Sequence, residues 1–186
     1  MEWGRVGWTR QIEHSEGACV TEDLTGNGTM GNILFLCTGN YYRSRFAELS
    51  FNWNAHRRGL PYQAASRGLW LEPANPGPIS RNTLRWLERL SIPSPESPRF
   101  PLELVEDDLR HAQLVIALKE AEHRPLMESF HPLWVNRIEY WHVDDMDCAT
   151  PDEVIPQLHR QVEALLDRLE TGRCQVPLMG ATTGVG

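Results

Sequence analysis

Asn32-Ile-Leu-Phe-Leu-Cys37-Thr-Gly-Asn-Tyr-Tyr-Arg43-Ser44 is the stretch on which the reading of the fold turns. Asn32 to Cys37 is a continuous apolar run, the pattern of a strand buried on both faces of a parallel sheet. A helical pattern follows from Ser44 to Gly59. There Phe46, Leu49, Ser50 and Trp53 share a face, Arg57 and Arg58 complement the last turn, and Gly59 closes it. The loop between strand and helix has the composition of an anion cradle. Its backbone N–H groups, turned inward at a helix N-terminus, form a nest for a phosphate. Arg43 is spaced to close that ring with a bidentate grip on phosphate oxygens. Cys37 lies at the bottom, where the same positive field favours its thiolate, and Ser44 can donate its hydroxyl hydrogen to that thiolate. Gly39 is expected to supply a φ that other residues resist, and Asn40 to take the left-handed conformation and tie the loop to itself. Taken alone, Cys37 reads equally well as a small buried apolar residue. The Arg-Ser pair and the amphipathic helix behind it favour the phosphate loop.

The same alternation continues outward. Tyr62–Ser66 reads as a second strand, and Ser80–Leu90 as a helix capped by Ser80, with Ile79, Leu84, Leu87 and Leu90 on one face. Four prolines between Ser91 and Pro101 forbid regular structure there. Gln113–Leu118 and Ile138–Val143 read as further strands. Thr150-Pro-Asp-Glu153 is a capping box with Pro at the first helical position, followed by Val154, Leu158, Val162, Leu165 and Leu169 along one face. Pro156 suggests that the regular part of this helix begins only there. Strands alternating with helices imply a parallel doubly wound α/β sandwich, whose ligands gather at the carboxyl ends of the strands. Residues 1–29 and 172–186 lack period and read as flexible extensions of a domain spanning 30–171.

The chain of 186 residues has 41% hydrophobic and 23% charged residues, which excludes wholesale disorder. Its net charge of −7 argues against nucleic acid as the main partner. No apolar run approaches the roughly 18 residues of a membrane span. Seventeen of the 18 basic residues are Arg, the exception being Lys119; Arg suits phosphate recognition, and codon bias explains the skew equally well. Cys19, Cys37, Cys148 and Cys174 are too scattered for a disulfide scaffold or a zinc site. With no basic-then-apolar signal pattern at the start, the expected home is the reducing cytoplasm. His111, His123, His131 and His142 lack metal-ligand spacing and read as surface or core residues, so neither metal nor cofactor is expected.

The segment Ile33-Leu-Phe-Leu-Cys-Thr-Gly-Asn-Tyr-Tyr-Arg-Ser-Arg-Phe-Ala-Glu48 resembles the opening of the low-molecular-weight protein tyrosine phosphatases. Ser66-Arg-Gly68, Leu114–Leu118 and the acidic segment near Asp145 extend the resemblance across residues 31–170. It implies a three-layer sandwich with a four-stranded parallel sheet, and metal-independent hydrolysis of a phosphomonoester, carried by a phosphorylated protein or a small molecule, through a phosphocysteine. Cys37, Arg43 and Asp145 would be catalytic, and Thr38, Gly39, Asn40, Tyr41, Tyr42 and Ser44 would bind the substrate. The acid is expected as an Asp after the last strand, usually followed by Pro. Asp145 fits, with Met146 in the Pro position, and Asp144 is its rival one residue away. Asp144, Asp145 and Asp147 also read as solvated loop carboxylates. Tyr41 and Tyr42 stand where relatives carry a smaller residue and often a second Cys, and Arg45 stands where Pro is common. Trp70 resembles the loop walling the family's cleft, though packing is its simpler reading. Two alternatives stay open. An arsenate reductase uses the same loop but needs resolving thiols, for which the sequence offers Cys148 alone near the acid loop. A non-catalytic phosphate-binding module would follow if the tyrosines block the cleft. The sequence leaves the oligomeric state open.

Overall fold

The computed structural model describes residues 31–144 and 150–172. Strand β1 (Gly31–Cys37) leads through the phosphate-type loop into helix α1 (Arg43–Arg57), and β2 (Tyr62–Gly68) returns alongside. Helices α2 (Arg81–Arg89) and α3 (Glu106–His111) precede β3 (Leu114–Ala117). Helix α4 (Glu120–Phe130), a 3-10 turn at Pro132–Trp134, β4 (Glu139–Tyr140) and α5 (Pro151–Glu170) complete the order. The four strands form one sheet in the order β2-β1-β3-β4, every pair parallel. This is the expected α/β sandwich. No described helix is long and apolar enough to cross a membrane.

Central strand β1 is buried on both faces, which is why its sequence is a continuous apolar run. Ile33, Phe35 and Cys37 face a core shared with α1 and α5, where Phe35 meets Phe51 and Trp141 at ring-centroid distances of 5.9 and 5.8 Å. Leu34 and Leu36 face the opposite core with Leu104, Leu109, Met127 and Trp134. Helix α5 buries Val154, Leu158, Val162, Leu165 and Leu169, the stripe read from the sequence. Its Thr150–Glu153 capping box is formed, with Glu153 accepting from the Thr150 amide at 2.9 Å and hydroxyl at 2.8 Å. Ser80 caps α2 by accepting from the Asn82 amide at 3.2 Å.

Three expectations change. Helix α5 starts at Pro151, and Pro156 lies inside it. The missing N–H frees only the carbonyl of Asp152, an exposed first-turn residue that water can satisfy. The last strand shrinks to Glu139–Tyr140 because it pairs only with β3, at the sheet edge. Arg58 does more than complement a helix end: it reaches α5, bonding Asp167 at 2.5 Å and also Glu163. The extensions at 1–29 and 173–186 lie outside the described residues.

Candidate active site

All four strands deliver their carboxyl ends to one edge, and every candidate residue that is described lies there. Cys37 is the last residue of β1, Thr38 to Tyr42 form the loop, and Arg43 and Ser44 open α1. Outside donors take up the loop's carbonyls. Leu69 N–H donates to Cys37 O at 3.0 Å, Trp70 N–H to Thr38 O at 2.9 Å, Ser80 N–H to Tyr41 O at 3.0 Å and Phe46 N–H to Tyr42 O at 3.0 Å. In a trans peptide the N–H points opposite to the C=O. The amides of Thr38, Gly39, Tyr42 and Arg43 therefore turn to the concave side, as an anion nest requires. No acidic residue occupies the first turn of α1, so its positive end is uncompensated by its own sequence.

Asn40 is the pin of the loop. It adopts φ +48° and is fully buried, and its side chain is used at both ends. Its amide donates to Ser44 Oγ at 3.1 Å and to Ser66 Oγ at 2.8 Å, while its Oδ1 accepts from Arg99 Nη1 and the Leu102 amide, both at 2.9 Å. Ser44 Oγ in turn lies 2.9 Å from Cys37 Sγ. The left-handed residue is thus Asn40, not Gly39, whose φ is not in that region. Gly39 instead keeps its Cα small beside Asn75, whose Nδ2 a Cβ would approach to 3.4 Å.

A stricter demand for glycine falls on Gly68, paired with Cys37 across the sheet. A Cβ there would come within 2.8 Å of the Thr38 carbonyl and 3.1 Å of the Asn40 amide. Gly68→Ala is expected to push the loop out of shape and to destabilise the fold by about 1–3 kcal/mol. Denaturant melts and phosphate titration of the same variant check both effects.

Arg43 is 1% exposed and held from two sides. Its Nη1 donates to the Val143 carbonyl at 3.2 Å, and its Nη2 to both oxygens of Glu122 at 2.9 and 3.0 Å. Glu122 also accepts from the Thr38 hydroxyl, and His123 Nε2 lies 3.4 Å away. Burial pushes this carboxyl up, but hydrogen bonds from His123, Arg43 and Thr38 together with the Arg43 charge outweigh it and hold the group far below the usual carboxylate range. The sequence reading missed Glu122. Its position in the first turn of α4, just past the carboxyl end of β3, was the available signal.

A cleft of about 220 Å³ opens over the loop, lined by Cys37, Thr38, Gly39, Tyr41, Tyr42, Arg43, Trp70, Glu72 and Asn75. Neither tyrosine fills it. Tyr42 is buried in the core, and Tyr41 lies along the wall with its hydroxyl donating to Pro76 O at 3.1 Å. Trp70 is not a packing residue: it is 58% exposed on the cleft rim, with its ring 5.7 Å from that of Phe130. A larger cavity of about 380 Å³ sits by the start of β1 and β2, lined by Asn32, Gln63, Asp107 and His111, and holds no nucleophile. Asp144 is exposed, with its Oδ1 3.2 Å from Lys119 Nζ. Asp145, the expected acid, and its neighbours Asp147 and Cys148 lie outside the described residues. Among the described residues no cluster of His, Cys, Asp and Glu could hold a metal ion.

The fold is shared with solved structures. YfkJ from Bacillus subtilis superimposes with a TM-score of 0.68 at 24% identity, covering 80% of this chain and 99% of its own. A low molecular weight protein tyrosine phosphatase from T. tengcongensis gives 0.61 at 24%, covering 76% and 99%. The YwlE arginine phosphatase from Geobacillus stearothermophilus gives 0.57 at 21%, covering 77% and 93%. At these identities the likeness establishes the fold alone. No curated protein matches the chain. The sequence profile described as low molecular weight phosphotyrosine protein phosphatase matches residues 32–174. The chain therefore belongs to the low molecular weight phosphotyrosine protein phosphatase family.

Proposed function

We propose that the protein is a cytoplasmic phosphomonoester hydrolase of the protein-tyrosine-phosphatase type, working through a phosphocysteine, with residues 30–171 as its catalytic unit. One observation carries the reading. Cys37 Sγ sits at the floor of an open cleft, 2.9 Å from a hydroxyl and under a guanidinium fixed by a carboxylate. In this reading the Cys37 thiolate attacks phosphorus, the S–P bond forms and the P–O bond to the leaving group breaks. Asp145 gives its proton to the departing oxygen. Water then attacks phosphorus, Asp145 takes the proton, and the S–P bond breaks to return the thiolate and release phosphate. The inward amides and the remaining N–H groups of Arg43 stabilise the equatorial oxygens, so this chemistry calls on no metal or cofactor.

Thr38, Gly39, Asn40, Tyr41, Tyr42 and Ser44 are proposed to form the phosphate site. Trp70 offers a ring to stack on a flat leaving group, which favours phosphotyrosine; the arginine phosphatase among the structural neighbours makes phosphoarginine the natural competitor substrate. Turnover of p-nitrophenyl phosphate separates hydrolysis from a pure binding module. Thioredoxin-coupled arsenate turnover tests the reductase reading, whose only nearby second thiol is Cys148.

The acid is tested by leaving groups. Phenolate departs from phenyl phosphate poorly without protonation, whereas p-nitrophenolate needs less help. With phosphoenzyme formation measured, Asp145→Asn should slow phenyl phosphate more than p-nitrophenyl phosphate, within the roughly 10²–10⁴-fold span of general acids. Asp144→Asn and Asp147→Asn should show little of this pattern. The pattern in Asp144→Asn instead would move the assignment by one residue.

A further inference from the structure

Arg45, the third residue of α1, is 2% exposed, and its Nε and Nη1 have no hydrogen-bond partner among the described residues. Its ion-pair contact is Glu48 Oε2 at 3.8 Å. That oxygen is already shared, accepting from Ser66 Oγ at 2.5 Å and Arg99 Nη2 at 2.9 Å. Three features make this an expensive place for a cation. It is dry, it lies at the positive end of a helix, and its donors are unfilled. Such a charge persists when an anion answers it, and Glu48 is divided between two arginines.

The remaining candidate is Cys37. The charged groups around the loop are Arg43, Arg45 and Glu48 on α1, Glu122 and His123 on α4, Arg99 on the segment before α3, and two pairs further out, Arg67 with Asp108 and Lys119 with Asp144. Arg43 is compensated by Glu122 at 2.9 Å, so in the empty cleft its field at the sulfur is largely cancelled. Arg45 has no such close carboxylate. Burial lowers its affinity for a proton, and both Glu48 and Cys37 act to restore it.

Resting on the reading of Cys37 as nucleophile, we infer that Arg45 is a positioning residue that holds Cys37 in its anionic form from beneath the loop. Arg43 is thereby left to serve the substrate. The two arginines divide the work: one fixed by Glu122 and turned to the cleft, the other dry and turned to the sulfur.

The test is the pH dependence of Cys37 alkylation by iodoacetamide in the full chain, followed by mass spectrometry of the peptide that carries Cys37. Alkylation reads the thiolate without turnover, so failure of the phosphatase reading and failure of this one are separate results. In Arg45→Met the pH of half-maximal alkylation should rise by about one unit. In Arg45→Lys, which keeps the charge, it should stay within a few tenths of wild type. Glu48→Gln, whose amide oxygen can still accept from Ser66 and Arg99, should shift it downward. An unchanged profile in folded Arg45→Met, or equal shifts in the Met and Lys variants, overturns the inference. If Arg45→Met does not fold, Glu48→Gln decides: a downward shift supports the role, and an unchanged or upward one refutes it.

Discussion

Cys37→Ser is expected to lower turnover of p-nitrophenyl phosphate by at least about 10⁴-fold, the scale on which removal of a nucleophile is felt, while phosphate or vanadate binding survives. The two results follow from different atoms. Turnover needs a sulfur anion, and a serine hydroxyl here finds only the Ser44 hydroxyl within hydrogen-bond distance, not a base that could take its proton. Oxyanion binding needs the inward amides and Arg43, which the substitution leaves in place. Steady-state kinetics give the first result and vanadate titration the second. Loss of both would mean that the substitution has broken the loop rather than the chemistry.

The second large effect is expected at Glu122. Its carboxylate fixes the guanidinium of Arg43 and the hydroxyl of Thr38 together, so it sets where the arginine's free donors point. Removing one partner of such a pair leaves a nearly buried cation to find a new position, and small displacements of a clamp cost about 10²-fold. Glu122→Ala should therefore lower kcat/KM by about 10²-fold, mostly in kcat, with Glu122→Gln intermediate because its amide oxygen still accepts from one donor. A rise in kcat/KM would instead make Glu122 a competitor for the arginine. The pH dependence has a definite sign. A carboxyl whose folded value is depressed contributes stability that is present above the unfolded value, about 4.3 for Glu, and lost only as the pH falls toward the folded one. Glu122 stays ionised across the range where enzymes of this type are assayed. The acidic limb of the kcat profile should consequently persist in Glu122→Gln, since it belongs to another group.

What the sequence disclosed, and what it withheld, follows the range of the interactions. The run Asn32–Cys37 and the helix behind it were readable because burial on both faces and one helical stripe leave local patterns. The caps at Ser80 and Thr150 were readable because a cap is made within three residues. Asn40 could be assigned its left-handed backbone from its residue type, but Gly39 could not be told from it, because either residue tolerates that conformation. Glu122 and Arg99 were invisible because they meet the loop from 79 and 59 residues away. Arg99 also sits in a proline-rich stretch without period. Trp70 misled because an aromatic side chain on a loop is usually packed, whereas this one stands on the cleft rim. Tyr41 and Tyr42 looked obstructive by size, yet their direction, along the wall and into the core, is a property of the folded loop.

The most direct test of the account is to trap the phosphoenzyme. Wild type and Asp145→Asn, mixed with radiolabelled aryl phosphate and quenched in acid within milliseconds, should carry up to one phosphate per chain on the peptide containing Cys37. The label should be lost in base-catalysed or iodine-promoted cleavage, as expected of a phosphothioester, and be absent from Cys37→Ser. Label on another residue, or multiple turnovers in Cys37→Ser, would contradict the proposal that hydrolysis passes through Cys37.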